Sequence, residues 1–122
     1  IYHPHFNEDK IMKKLAFACA GILLFLSTAV FAEEHTKAAL EHANAAVAEG
    51  KANKPEALVE HAKLSLEHTL AAAIIAKSVP KGHLDAAAKE LQEAIDHGNL
   101  DHTDVATKHA EAAVDHIKAS SK

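Results

Sequence analysis

The sequence predicts an all-α protein, an antiparallel up-down-up-down four-helix bundle preceded by a helical signal peptide. Two observations support this fold class. Residues 33–122 are rich in Ala, Leu, Lys and Glu and contain no Phe, Tyr, Trp, Met or Cys, so helix is the default conformation. Breaks containing Gly or Pro divide this segment into four helical lengths, and connections this short join antiparallel neighbours.

The beginning of the chain is predicted to be targeting sequence. From Met12 it reads MKKLAFACAGILLFLSTAVFA, with a basic start, an apolar run and a small-residue cleavage site that ends at Ala32. The apolar run is short for a membrane-spanning helix, which makes a retained anchor the less favoured alternative. We expect an upstream, non-native segment at 1–11, a signal peptide at 12–32 and a mature periplasmic domain at 33–122.

The first two helices are expected to form one hairpin. The first runs from about Glu34 to Glu49 and stops at Gly50, because glycine commonly ends helices. The second begins near Pro55, where a first-turn proline is favourable, and ends before residues 78–82, which read Ser-Val-Pro-Lys-Gly.

The last two helices are expected to form a second hairpin. The third spans about His83 to His97 and is closed by Gly98. The fourth runs from about Asp101, a suitable N-cap residue, to Lys118.

Charge and composition exclude several functions. Residues 33–122 carry 10 Lys, no Arg and 15 Asp or Glu, a net charge of −5, which argues against nucleic acid and anionic membranes as partners. The absence of Cys from this segment excludes thiol chemistry. No zinc-protease, di-iron or haem-attachment motif is present, so we predict no enzymatic activity.

Histidine is the unusual component of the domain. Of 11 His in the chain, His3 and His5 precede Met12, which leaves nine in the mature domain. They recur at intervals of seven residues, or fourteen in the third helix with Glu90 at the midpoint. Because seven residues rise about 10 Å along a helix, two His of one helix cannot share an ion, and any site must combine two helices.

The register of the repeat predicts which ligands meet. In an antiparallel hairpin, residues equidistant from the turn face each other, and every mature His has such a partner. The predicted pairs are His42 with His61, His35 with His68, His97 with His102, Glu90 with His109, and His83 with His116. We therefore predict two ladders of divalent-metal sites, one for each hairpin.

The same register predicts the core. Small residues four positions after each His are expected at the helix contacts, where alanine permits close approach. The remaining core positions follow each His by one or five residues. They are Ala43, Ala62, Leu84, Leu91, Ala110 and Ile117, with Leu40, Val47, Leu66, Ile95 and Val114.

Imidazole and carboxylate ligands suit Cu(II), Ni(II) and Zn(II), and the usual affinity order places Cu(II) first. Glu93 lies four residues before His97 on the same face and is a possible direct ligand. Other acidic residues directly precede a His and are expected to support the sites from outside. These auxiliary residues are Glu34, Glu41, Glu60, Glu67, Asp96, Asp101 and Asp115.

The repeat of Glu-His and Asp-His pairs resembles the small metal-binding protein (SmbP-like) family of exported proteins from ammonia-oxidising bacteria. The pairs include Glu34-His35, Glu60-His61 and Asp115-His116, and the resemblance spans residues 33–122. It implies a periplasmic helical bundle that binds several Cu(II) and other divalent ions in copper handling or detoxification. The departures from the repeat, at which weaker sites are expected, are Gly82 before His83, Lys108 before His109, and Glu90 in place of a His.

The main hypothesis is a monomeric periplasmic protein that buffers copper, with metal ions as partners and a metal-delivery partner left open. The alternative is a pH-responsive interaction module. Protonation of nine His would change the domain charge from −5 to +4 and could expose a partner surface.

Overall fold

The computed structural model describes residues 28–122, with side chains from residue 31, as four helices. They are α1 (Thr28–Lys51), α2 (Pro55–Ile75), α3 (Ser78–Asn99) and α4 (Thr103–Ser120). Each helix packs along the next in the chain, and α1 also packs along α4. The helices therefore occupy the corners of a square in chain order. The predicted all-α up-down-up-down bundle is confirmed for the described residues.

The predicted leader is only partly within the described residues. Residues 1–27, and with them most of the predicted signal peptide, lie outside. Helix α1 begins at Thr28, not near Glu34, and so continues through the expected cleavage position after Ala32. Within this helix, Thr36 Oγ1 donates a hydrogen bond to the carbonyl of Ala32, four residues earlier, at 2.8 Å. From Thr28 onward, no helix combines the length and apolarity that crossing a membrane requires.

The prediction that Gly50 and Gly98 end their helices was wrong. Helices α1 and α3 continue through Gly50 and Gly98 to Lys51 and Asn99. The left-handed residue of each turn is instead Asn53 or Asp101, both with φ 60°. These side chains tolerate that conformation better than most.

Close packing explains the glycines. Both are buried, and a Cβ on Gly50 would overlap the Thr107 side chain and lie 2.8 Å from Leu58 Cδ1. A Cβ on Gly98 would overlap the side chain of Val59. Each glycine therefore lets a helix end pack closely against neighbouring helices.

Two predicted helix starts were also wrong. Helix α3 begins at Ser78, five residues before His83, because Pro80 falls in the first turn, where its missing N–H breaks no helical hydrogen bond. Asp101 is not the N-cap of α4. That position belongs to His102, which makes no side-chain capping bond.

The core follows the predicted register. The predicted core residues one position after a ligand are buried, and Ile95 and Val114 join them, whereas Leu40, Val47 and Leu66 are partly buried against the core. Ser65, in the small column of α2, donates a 2.7 Å hydrogen bond to the Ala39 carbonyl across the α1–α2 contact. The fully buried small residues four positions after a ligand are Ala39, Ala46, Ser65, Ala72, Ala87, Ala94, Ala106 and Ala113.

Candidate metal centre

Four imidazoles line the contact between α1 and α2, which we call the first seam: His35, His42, His61 and His68. The Nδ1 atoms of His35 and His68 lie 2.9 Å apart, and those of His42 and His61 lie 3.3 Å apart. All four side chains are partly buried at the edge of the alanine contact. The pairs predicted from equal distance to the turn are therefore confirmed.

The contact between α3 and α4, the second seam, has the same pairing and carries His83, Glu90, His97, His102, His109 and His116. The Nδ1 atoms of His97 and His102 are 3.4 Å apart, and Glu90 Oε2 is 2.8 Å from His109 Nδ1. The rings of His83 and His116 are neighbours with centroids 6.0 Å apart. This pair has no hydrogen bond between ring nitrogens in the part of the chain that the structure describes.

The separations between ring nitrogens fit a shared metal ion. Two imidazole nitrogens at about 2.0 to 2.1 Å from one ion, subtending an angle between square-planar and tetrahedral, are roughly 2.8 to 3.4 Å apart. The three Nδ1 pairs lie at 2.9, 3.3 and 3.4 Å. Each pair could therefore hold one ion with little movement, and water could complete its coordination.

Diagonal contacts that the sequence analysis did not identify join successive pairs along each seam. The rings of His42 and His68 stack with centroids 6.0 Å apart and an interplanar angle of 2°. In the second seam His97 and His109 stack at 5.5 Å and 8°. The sequence could have predicted these contacts, because each diagonal joins neighbouring levels of the seven-residue repeat.

The acidic residues that directly precede a His do not add a third ligand to the facing pairs among the described residues. All seven predicted auxiliary residues are solvent-exposed, and Asp96 accepts a 3.0 Å hydrogen bond from Gln92 of its own helix. A supporting role for them through water stays a prediction. The residues concerned are Glu34, Glu41, Glu60, Glu67, Asp96, Asp101 and Asp115.

Glu93 differs from those acids. Its Oε2 lies 3.7 Å from His97 Nε2, as the spacing of four residues suggests. Among residues 28–122, Glu93, His97 and His109 form the single group of three His or acidic residues whose ligand atoms all lie within 4.8 Å of one another. The spacing of four residues predicted the first two as neighbours, whereas the approach of His109 to them was not predicted.

Burial and mutual repulsion favour neutral imidazoles in the first seam. The pKa of His42 is lowered by burial, then by the nearby His61 and His68, and the exposed Glu41 only partly opposes this. The pKa of His68 is likewise lowered by burial and then by the nearby His35, although Glu67 acts to raise it. Because only the neutral ring binds a metal, this environment prepares the seam for ligation near neutral pH.

The metal-free protein should lose stability on acidification. Since the folded state lowers the pKa of His42 and His68 below 6.5, the unfolded chain binds protons more readily. This contribution is fully present above pH 6.5 and is lost as the pH falls through the folded pKa values. Urea unfolding at pH 7.5 and at successively lower pH should show a falling midpoint.

A variant checks the cause of that loss. His61→Gln removes one of the neighbouring charges and should raise the pKa of His42 toward its ordinary value. The pKa should stay below that value, because His42 is still partly buried. NMR titration of the His42 ring measures this. An unchanged His42 pKa would contradict the role given to His61.

The family model described as "Small metal-binding protein" matches residues 12–120 of the chain. The match covers both seams and the whole described bundle except its last two residues. No curated protein matches the sequence.

Proposed function

Because the chain belongs to the small metal-binding protein family, we propose that it is a periplasmic protein that binds several divalent ions, Cu(II) in preference to Ni(II) and Zn(II), and buffers copper. The observation that carries the proposal is the approach of facing Nδ1 atoms to between 2.9 and 3.4 Å across two seams. Such pairs offer borderline nitrogen donors, for which Cu(II) ranks first among the divalent ions of the series.

The location of the pairs suits buffering. The ligating rings are partly buried at the edges of the bundle, and His102 is exposed, so ions can enter and leave without unfolding. Two protein ligands per pair leave the remaining positions to water, which favours exchange over permanent retention. Export through the predicted signal peptide at 12–32 would place this capacity in the periplasm.

A Cu(II) titration of the His42–His61 pair tests the proposal. At pH 7.5, wild-type protein should bind several ions, and His42→Ala or His61→Ala should each remove the same ion. The double variant should lose little more than either single variant, because residues of one site are not additive. Calorimetry with a competing chelator measures the number and affinity of the ions.

Glu56→Gln supplies the matched control, since Glu56 is an exposed carboxylate of the same helix, α2, and is not adjacent to a His. It should keep the wild-type number of ions. Additive losses at His42 and His61 would show that the two rings do not share an ion. If the wild-type protein bound no Cu(II) but associated with a partner in a pH-dependent, chelator-insensitive way, the pH-responsive module would replace the proposed function.

A further inference from the structure

The two seams are not equivalent. The first contains imidazoles only, whereas the second adds carboxylates close to its rings. Glu93, His97 and His109 come together near the turn between α3 and α4. No comparable group of three exists elsewhere within residues 28–122.

An internal repeat makes this difference measurable. The second hairpin repeats the first at a distance of 48 positions, so that Gly50 corresponds to Gly98 and Asn53 to Asp101. The structure preserves the correspondence, since both glycines are buried and both turn residues have φ 60°. His35, His61 and His68 have counterparts in His83, His109 and His116.

The ligand positions that differ between the repeats lie together. Ala45, Glu49 and Lys54 of the first hairpin stand where the second has a carboxylate and two imidazoles, and His42 stands where the second has a carboxylate. The corresponding residues of the second hairpin are Glu93, His97, His102 and Glu90. The differences between the hairpins therefore place additional metal-binding groups at two adjacent levels of the second seam, those of the His97–His102 and Glu90–His109 pairs.

Glu90 has a distinct place in this group. Its Oε2 lies 2.8 Å from His109 Nδ1, a distance at which Nδ1–H donates a hydrogen bond to the carboxylate. That bond leaves the Nε2 lone pair of His109 free for a metal. Both groups are partly buried, so solvent competes less with the bond than it would at an exposed position. A carboxylate that holds the second nitrogen of a ligating His is a common support for zinc sites.

From this arrangement we propose that Glu93, His97 and His109 form a three-ligand site for a tetrahedral divalent ion of the Zn(II) class, with Glu90 orienting His109. This site binds Zn(II) and Co(II) before the two-imidazole pairs do. Two imidazoles, one carboxylate and one water match a known coordination of Zn(II), and the carboxylate charge offsets part of the charge of the ion. The inference rests on the proposed function, and it reverses the expectation that Glu90 marks a weak level.

Co(II) can report on this site because tetrahedral Co(II) absorbs visible light much more strongly than octahedral Co(II). The first equivalent added to the wild-type protein should give the intense tetrahedral bands, and Zn(II) should abolish them. Glu93→Gln should remove the bands from the first equivalent and weaken Zn(II) binding by about tenfold or more. Glu56→Gln, the same change at an exposed carboxylate outside both seams, should leave both measurements unchanged.

Variants of Glu90 test its positioning role. Glu90→Leu removes the acceptor for His109 Nδ1–H and should weaken Zn(II) binding by about 10- to 100-fold. Glu90→Gln keeps an acceptor oxygen and should recover part of the affinity. The His109 Nδ1 proton, visible by NMR in the Zn(II)-bound wild-type protein, should exchange faster in the leucine variant.

The outcomes separate this inference from the proposed function. If Glu93→Gln kept the wild-type Co(II) bands and Zn(II) affinity while His61→Ala still lost one Cu(II), the three-ligand site would be overturned and copper binding would stand. Weak, octahedral Co(II) spectra from the wild-type protein would also overturn it. If the wild-type protein bound no Cu(II), Zn(II) or Co(II), both proposals would fail.

Discussion

Binding of Cu(II) to one His pair in each seam should raise the melting temperature of this protein by about 20 to 40 °C. An ion that binds only the folded state at 100 times its dissociation constant contributes about 2.7 kcal/mol. Two occupied pairs, one in each seam, would therefore add about 5 kcal/mol, and a domain of this size gains about 4 to 8 °C per kcal/mol. Calorimetric melting at pH 7.5, with and without Cu(II), measures the shift.

The composition of the core makes the effect large. The largest fully buried side chains include Leu58, Leu84, Leu91 and Ile117, and most of the other buried apolar residues are alanine. A small bundle with so little large apolar volume has limited stability of its own. We therefore expect metal binding to supply a large share of the total free energy of unfolding.

Two controls define the source of the shift. Mg(II), which prefers oxygen ligands, should leave the melting temperature unchanged. His42→Ala combined with His68→Ala removes one ring from each pair of the first seam and should reduce the Cu(II) shift by about half, because the second seam remains. An equal shift in that variant would show that binding outside the seam pairs stabilises the fold.

The pairing across the seams was predictable from the sequence because it depends on periodicity alone. His42 and His61 are equally distant from a turn, and the small residues beside them, Ala46 and Ser65, let the two helices approach closely. Straight antiparallel helices preserve such a register over several turns. The facing rings therefore follow from counting, without knowledge of the rest of the fold.

The helix ends could not be obtained in this way. A glycine in a helical sequence can mark a left-handed cap or a close contact with another helix, and only tertiary structure distinguishes the two. For Gly50 the deciding neighbour is Thr107, which belongs to another hairpin. The meeting of His109 with Glu93 and His97 was missed for a related reason, since it depends on side-chain directions across levels of the seam.

Gly50→Ala should destabilise the bundle by about 2 kcal/mol, although alanine is the better helix former. The added methyl group would overlap the Thr107 side chain and lie 2.8 Å from Leu58 Cδ1. Overpacking of this kind forces side chains from their preferred rotamers or moves the backbone, at a cost of about 1 to 3 kcal/mol. Urea unfolding of the metal-free variant, compared with wild type, measures the loss.

Gly82 provides the matched control for this substitution, because it also lies within a helix but has nothing within 4 Å of an added Cβ. Gly82→Ala should stabilise the protein by about 0.5 to 1 kcal/mol through helix propensity alone. Adding Thr107→Ala to Gly50→Ala removes the overlapping hydroxyl and should recover part of the loss, although Thr107 also gives up its 2.7 Å hydrogen bond to the Thr103 carbonyl. Equal stabilisation at positions 50 and 82 would mean that contact between hairpins does not require glycine, and that the close approach of α1 to α4 is looser than the structure indicates.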